Sequence, residues 1–394
     1  MFDFIIIGKG LIGSAALRYV SQFTRNVAVV GPNEPASYAT HDGVFASHYD
    51  EGRSTSLLGK DPIWAHLTRR AIERYQHLEQ QTGLHFYDAC GRLCVYESHS
   101  ALDEVTNNAR YDRPAVVQHE RLTGSGISAR FPMFMFANTC SATFEPAPAG
   151  LIRPRVLIRA QLADAIRAGA VAIDEEVKQL RVTRDCVHVV THTGRRLQSA
   201  RVLLATGAYA SCDDLMTRRI ALRVKAETVL LVEVPMAALT RFANMPTLSF
   251  AIDSPTLSGI YMTPPLRYPN GRHYLKLGCN TSADVTLVDR LAIQIWMQQG
   301  PSHDMTTAML GALRLFMSGL PVSSYVSKPC FVAYTPHGRP FVDQLSDRVF
   351  VATGCNGAAA QCSDTLGQLG ALLMLGMPWP GEFDRNDFRV ILTS

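Results

Sequence analysis

The chain has 394 residues, 47% of them hydrophobic, with 38 basic and 34 acidic side chains and a net charge of +4. That length predicts two domains and a sizeable core, and the near-balanced charge, with no Lys/Arg stripe, argues against nucleic acid as a partner. No apolar stretch reaches the roughly 18 residues that cross a bilayer, so no transmembrane segment is expected.

The start, Met1-Phe2-Asp3-Phe4, has no basic leader, and its apolar run ends in a glycine-rich loop, so it does not read as a signal peptide. Nine cysteines, an odd number without regular spacing or a Cys-x-x-Cys, argue against a disulfide framework and for a reducing, cytoplasmic compartment. No structural metal site is expected.

The first predicted element is a buried parallel strand, "FDFIII" (2–7). Gly8-Lys9-Gly10-Leu11-Ile12-Gly13 follows at once, and "SAALRYVSQF" then reads as a helix with a small-residue face at Ser14, Ala15 and Ala16. "NVAVVG" (26–31) is the next strand. A GxGxxG between strand and helix is the context of dinucleotide binding. Gly8 permits the tight turn, Gly10 lets a pyrophosphate approach the backbone, and Gly13 lets helix and strand pack closely. The helix N-terminus then faces the phosphates. The carboxylate that should end the second strand and bind the ribose is missing, since Gly31 stands there. Asn33 or Glu34 is expected to reach back instead, or backbone groups take over.

Further along, "FPMFMF" (131–136) reads as core or pocket wall, and "DEE" (174–176) as a solvated strand end. "RVLLATGA" (201–208) is a buried strand ending in Ala205-Thr206-Gly207. "RVFVATGCNG" (348–357) repeats the design and leads into a helix, "AAAQCSDTLGQLGALLM". A nicotinamide dehydrogenase normally completes its cofactor domain in one contiguous block. Nucleotide-binding-like pieces at the start, middle and end favour FAD in a domain assembled from distant segments. Cys330, in "KPCFVAYTPHG" (328–338), reads by itself as a packing thiol, and His337 as a turn residue.

Together these segments resemble the flavin-dependent amine oxidoreductases of the D-amino acid oxidase superfamily, and within them the sarcosine oxidase and N-methyltryptophan oxidase type. "FIIIGKGLIGSAA" is similar to the family's opening, "SHYDEGR" (47–53) to its serine–histidine loop ending in an arginine beside the flavin ring, and "YLKLGCN" (274–280) to the strand that carries a lysine over the flavin. "CFVAYTP" resembles the segment whose cysteine bonds through sulfur to the flavin, and "GCNGAAAQCSDTLG" the turn and helix facing its pyrimidine end. The resemblance implies an α/β fold: a discontinuous Rossmann-like FAD-binding domain of the glutathione-reductase type (1–82, 150–214 and 327–394), interleaved with a mixed-sheet substrate domain (83–149 and 215–326). It implies FAD held by Gly8, Gly10, Leu11, Ile12, Gly13, Asn33, Glu34, Ser47, Arg53, Val177, Thr206 and Gly207. Gly354, Asn356, Gly357, Ala358, Ala359 and Gln361 would hold its other end. Cys330 is the covalent anchor under this resemblance; the alternative is an unreacted thiol beside non-covalent FAD.

Arg53 and Lys276 are the implied catalytic residues, and Tyr261, Asn280 and Gln361 the substrate-side ones. Four positions depart from the sarcosine-type pattern. Ser56 stands for a second arginine, Gln361 for a carboxylate-binding lysine, Asn280 for a histidine and Val332 for an aromatic residue. An insertion, "LRYPNGRH", separates Tyr261 from Lys276. The losses remove most of the fixed charge for a small carboxylate, which implies an amine larger or less acidic than sarcosine. The expected reaction is oxidation of a C–N bond, with a hydride equivalent passing to flavin N5 and oxygen or another acceptor taking the electrons. An amino-acid dehydrogenase feeding a quinone or partner protein, or a non-catalytic FAD-binding protein, are the alternatives. The sequence leaves the oligomeric state open.

Overall fold

The computed structural model describes all residues except 60, 98–116, 213–214, 216–217, 253, 282–284, 318, 321, 323 and 394. The strand Phe2–Ile7 lies between two parallel partners, Val27–Val30 and Arg196–Leu204. Val171–Ile173 extends this sheet beyond Val27–Val30, and Val349–Thr353 pairs in parallel with Arg196–Leu204. Two antiparallel additions complete it. The hairpin Val177–Val182 and Val187–Thr191 joins the Arg196–Leu204 side, and Phe341–Ser346 pairs with Val349–Thr353. Ile5, Ile6 and Val27 through Val30 are buried on both faces, which explains why these strands read as unbroken apolar runs.

The helix Leu11–Val20 covers one face of this sheet and packs on the helix Ser363–Leu375. Small residues make the approach possible. A Cβ at Gly367 would lie 2.4 Å from Ala15 Cβ, and one at Gly13 would lie 1.8 Å from Gly8 O. The predicted last helix begins later than its sequence suggests, because residues Ala359–Cys362 form a 3₁₀ turn first.

The second large sheet runs in the order Tyr325–Tyr334, Arg223–Glu233, His273–Thr281, Leu257–Arg267, Thr247–Ala251, Arg92–Tyr96, Ser141–Glu145, Glu120–Thr123. Side chains alternate between its faces. Leu230, Val232, Leu275 and Leu277 point into an apolar core closed by Phe131, Met133, Phe134 and the helix His303–Phe316. The "FPMFMF" cluster is thus largely core, although Met135 is exposed. The opposite face carries Glu227, Asn280, Tyr261 and Cys330 toward a cavity between the two large sheets. The FAD-binding domain is expected to resume at residue 327, but the strand Tyr325–Tyr334 pairs within the second sheet before the chain crosses to the first. A small third sheet, Arg53–Thr55, Gly150–Ile152 and Tyr87–Asp88, fixes the backbone of Arg53 opposite Ile152.

Candidate active site

The cavity has a volume of about 690 Å³. At one end it is walled by the turn from Gly8 through Ile12. Gly8 has φ +106, and a Cβ there would lie 2.3 Å from Ala205 O, so only glycine fits. Gly10 is the N-cap of the helix Leu11–Val20 and provides no side-chain cap. The first-turn N–H groups therefore face the cavity as an anion site. Thr206, Gly207 and Val177 also line it, as do Gly354, Asn356, Gly357, Ala358, Ala359 and Gln361 from the last glycine-rich turn. Asn356 has φ 47, a left-handed conformation that asparagine tolerates better than most residues. Its Oδ1 accepts from Thr335 N at 2.9 Å.

Three expected cofactor residues lie elsewhere. Gly13 sits beneath the loop as a packing residue. Asn33 accepts a hydrogen bond from Lys9 Nζ at 2.6 Å. Glu34 is gripped by Arg155 at 2.6 and 2.7 Å and accepts from the Tyr38 hydroxyl. Burial works against the Glu34 carboxylate, but Arg155 and Tyr38 outweigh it and hold its pKa below the ordinary value. Neither Asn33 nor Glu34 is a cavity-lining residue, whereas Lys9 is, and Lys9 also forms an ion pair with Asp174. Asp174 is nonetheless exposed, while Glu175 and Glu176 are half-buried. Glu176 lines the cavity, accepts from Val44 N and pairs with Arg290.

At the other end Cys330, Ser47 and Arg53 come together. Cys330 Sγ lies 4.0 Å from Arg53 Nη2 and 3.7 Å from Ser47 O. Burial pushes the Cys330 thiol pKa up, while the Arg53 and Lys276 charges pull it down. Arg53 pairs with Asp50 and donates to Ser47 O at 3.0 Å. Lys276 occupies an interior strand, between Arg223–Glu233 and Leu257–Arg267, and is 1% exposed. It does not line the cavity. Its Nζ donates to Gly52 O at 2.7 Å and pairs with Asp50 at 2.5 Å. Burial and the neighbouring Arg53 charge lower its pKa to about 8, against the opposing pull of Asp50. Asp50 also accepts from the Tyr268 hydroxyl at 2.6 Å. Burial acts against its charged form, but Lys276 and Arg53 hold its carboxyl far below the usual range.

Tyr261 and Asn280 line the cavity between these ends. The Tyr261 ring lies over Gly278, where a Cβ would sit 1.9 Å from Tyr261 Cζ. Ser56 and Gln361 meet, with Ser56 N donating to Gln361 Oε1 at 2.9 Å. The Ser56 hydroxyl donates to buried Glu145 at 2.6 Å. His337 is exposed in a turn.

Sequence reasoning did not single out Asp50, Tyr268, Arg92, Glu145 or Glu227. Glu227 is buried, lines the cavity and pairs with Lys225 at 2.9 Å. Its signal was present, for Lys225 and Glu227 are charges two apart at the start of an apolar strand, on one face.

A cavity with an uncapped helix N-terminus at one end and a thiol beside a guanidinium at the other suits a flavin dinucleotide. This is a flavoprotein oxidoreductase: the chain belongs to the family described as FAD dependent oxidoreductase, whose model matches residues 3–373. It is similar to an N-methyl-L-tryptophan oxidase of Yersinia pestis, 24% identical over 387 residues, with 96% of each chain covered. Among solved structures it is similar to NikD, described as an unusual amino acid oxidase essential for nikkomycin biosynthesis. The TM-score is 0.79 at 18% identity, covering 100% of this chain and 98% of that one. Iminodiacetate oxidase from a Chelativorans species gives a TM-score of 0.76 at 18% identity, with 98% of each chain covered.

Proposed function

We propose that the protein oxidises the C–N bond of an amine or amino-acid-like substrate and that oxygen takes up the electrons. The observation that carries this is the convergence of Tyr261 and Asn280 on the same cavity as Cys330 and Arg53. FAD bound there would accept a hydride equivalent at N5 from the carbon beside the amine nitrogen. Tyr261 and Asn280 orient the substrate on the sheet side of the cavity. Burial raises the Tyr261 pKa well above 10, so its hydroxyl stays protonated. Arg53 supplies a fixed positive charge at the flavin-ring end, and Lys276 a second cation just behind the wall. Cys330 is the covalent attachment point. The amine binds in its neutral form, positioned by the cavity wall over the flavin ring end.

An anaerobic screen of secondary amines, amino acids and larger N-alkyl compounds tests this reading. Bleaching of the flavin by at least one class is expected. Failure of all of them would favour a non-catalytic FAD-binding protein. A second reading, an amino-acid dehydrogenase with another acceptor, is favoured by the Lys276–Asp50 pair, which offsets part of the charge available to oxygen. Admitting air to the bleached protein separates the two. The cofactor domain in this reading comprises 1–82, 150–214 and 327–394, and the substrate domain 83–149 and 215–326. Nine free cysteines are consistent with a cytoplasmic setting, and among the described residues no helix is long and apolar enough to cross a membrane.

A further inference from the structure

We propose that Arg92 holds the anionic group of the substrate, and that this group stands several bonds from the carbon that is oxidised. The proposal rests on the amine-oxidising function above and specifies the substrate's shape. Arg92 opens the strand Arg92–Tyr96, an interior strand of the second sheet, and lines the cavity with Tyr96 and Ser249. Its Nη2 donates to Ser249 Oγ at a long 3.4 Å, and its buried Nε has no hydrogen-bond partner. A guanidinium carries five N–H donors, and leaving them unmet away from water is costly.

The carboxylate opposite Arg92 in register, Glu145, is committed elsewhere. Its oxygens accept from the Ser56 hydroxyl at 2.6 Å and from Leu57 N at 2.7 Å. Burial pushes the Glu145 pKa up, against these bonds and the attraction of the Arg92 charge. The cation is therefore poised for an acceptor arriving through the cavity. Ser56 and Gln361, where a cation would hold a small carboxylate, offer none. The Arg92 guanidinium reaches Ser249, whereas the Tyr261 ring leans the other way, over Gly278. The strands of Ser249 and Gly278 are separated by Leu257–Arg267, so the two groups lie about 10 Å apart at the usual spacing. An amine reacting beside Tyr261 reaches Arg92 only with its anion on a chain of several bonds. Sarcosine and glycine are too short.

The test uses the FAD-loaded protein and calorimetric titration with hexanoate, hexanamide and acetate. None of these carries an amine, so binding is read even if no amine is ever oxidised. Hexanoate should bind at least about tenfold more tightly than either of the others. Arg92→Met should erase that preference, and Arg92→Lys should keep part of it. A wild type that binds hexanoate and hexanamide alike overturns the proposal, whether or not the variants load FAD. An undiminished preference in Arg92→Met, or in Arg92→Gln if the former does not fold, overturns it as well. Arg92-dependent carboxylate binding without flavin reduction by any amine would leave Arg92 in place and refute the amine-oxidising function alone.

Discussion

Lys276 and Asp50 form a buried ion pair, 2.5 Å between Nζ and Oδ2, directly behind the wall that carries Arg53 and Cys330. Two cations share this one carboxylate. The lysine is the one that titrates, at about 8, because burial and Arg53 oppose its charge more than Asp50 supports it.

Oxygen has no charge to steer it, so a protein speeds its reduction mainly by stabilising the negative charge that develops, most effectively in a dry site. Reoxidation by air should therefore be fastest below pH 8 and decline as pH rises through about 8, where Lys276 loses its proton. Lys276→Met should leave amine-driven bleaching nearly intact, slow reoxidation by about two orders of magnitude for a loss of about 2.7 kcal/mol, and flatten the pH profile. A wild type inert to oxygen once reduced would instead fit the dehydrogenase.

Asp50→Asn removes the partner that holds the Lys276 proton. The decline in reoxidation should move to lower pH, since desolvation and Arg53 then act unopposed. Stability should fall by about 3–5 kcal/mol, as when one partner of a buried pair is removed. Stopped-flow reoxidation across pH and a denaturant melt read both effects. A midpoint unchanged from wild type would show that the pair does not tune Lys276.

Cys330 should hold the flavin covalently. Acid-denatured wild type should keep its yellow colour in the pellet, and Cys330→Ala should release it to the supernatant. Burial holds the Cys330 pKa above the ordinary thiol value, and the Arg53 and Lys276 charges offset part of that cost for the thiolate such a bond requires. A colourless pellet from fully loaded wild type would remove the linkage while leaving bound FAD possible.

Gly278→Ala should keep the flavin and lose the substrate. The new Cβ would meet the Tyr261 ring at 1.9 Å, and the ring must move into the cavity. Flavin loading should stay normal while amine-driven bleaching slows at least about tenfold. Unimpaired bleaching would show that Tyr261 does not orient the amine.

Sarcosine and glycine should be poor substrates. Ser56 and Gln361 bond to each other, and Ser56 also bonds to Glu145, instead of offering charge. Each missing charge-assisted bond is worth about 1.5–3 kcal/mol, so two of them amount to roughly two orders of magnitude or more in affinity. Rapid bleaching by millimolar sarcosine would show that a cation close to Tyr261, such as Lys276 at 5.6 Å from its ring centre, holds the carboxylate after all.

The glycine loop was legible because Gly8 and Gly13 answer to local backbone demands. The parallel strands were legible because burial on both faces leaves an unbroken apolar run. What escaped notice depends on partners distant in sequence. Glu34 looked available for a ribose until Arg155, 121 residues away, closed on it. Asp50 lay inside a quoted motif, yet its importance comes from Lys276 and Tyr268, which fold onto it from another strand and a loop. Arg92 carries no local mark, for an arginine at the head of a strand usually faces solvent. Only the sheet order makes it part of a cavity wall.

The three central strands of the first sheet, Phe2–Ile7, Arg196–Leu204 and Val349–Thr353, come from the start, middle and end of the chain. During synthesis the earliest strand meets Val27–Val30 soon but must wait for Arg196–Leu204, which in turn must wait for Val349–Thr353. Each pairing closes a loop of well over a hundred residues, so folding is slow and the nascent apolar strands are exposed to misassociation meanwhile. The dinucleotide cleft cannot close before Val349–Thr353 has been made. Capture of the flavin is therefore a late event, and flavin supply and chaperone access during that interval set the yield of active protein.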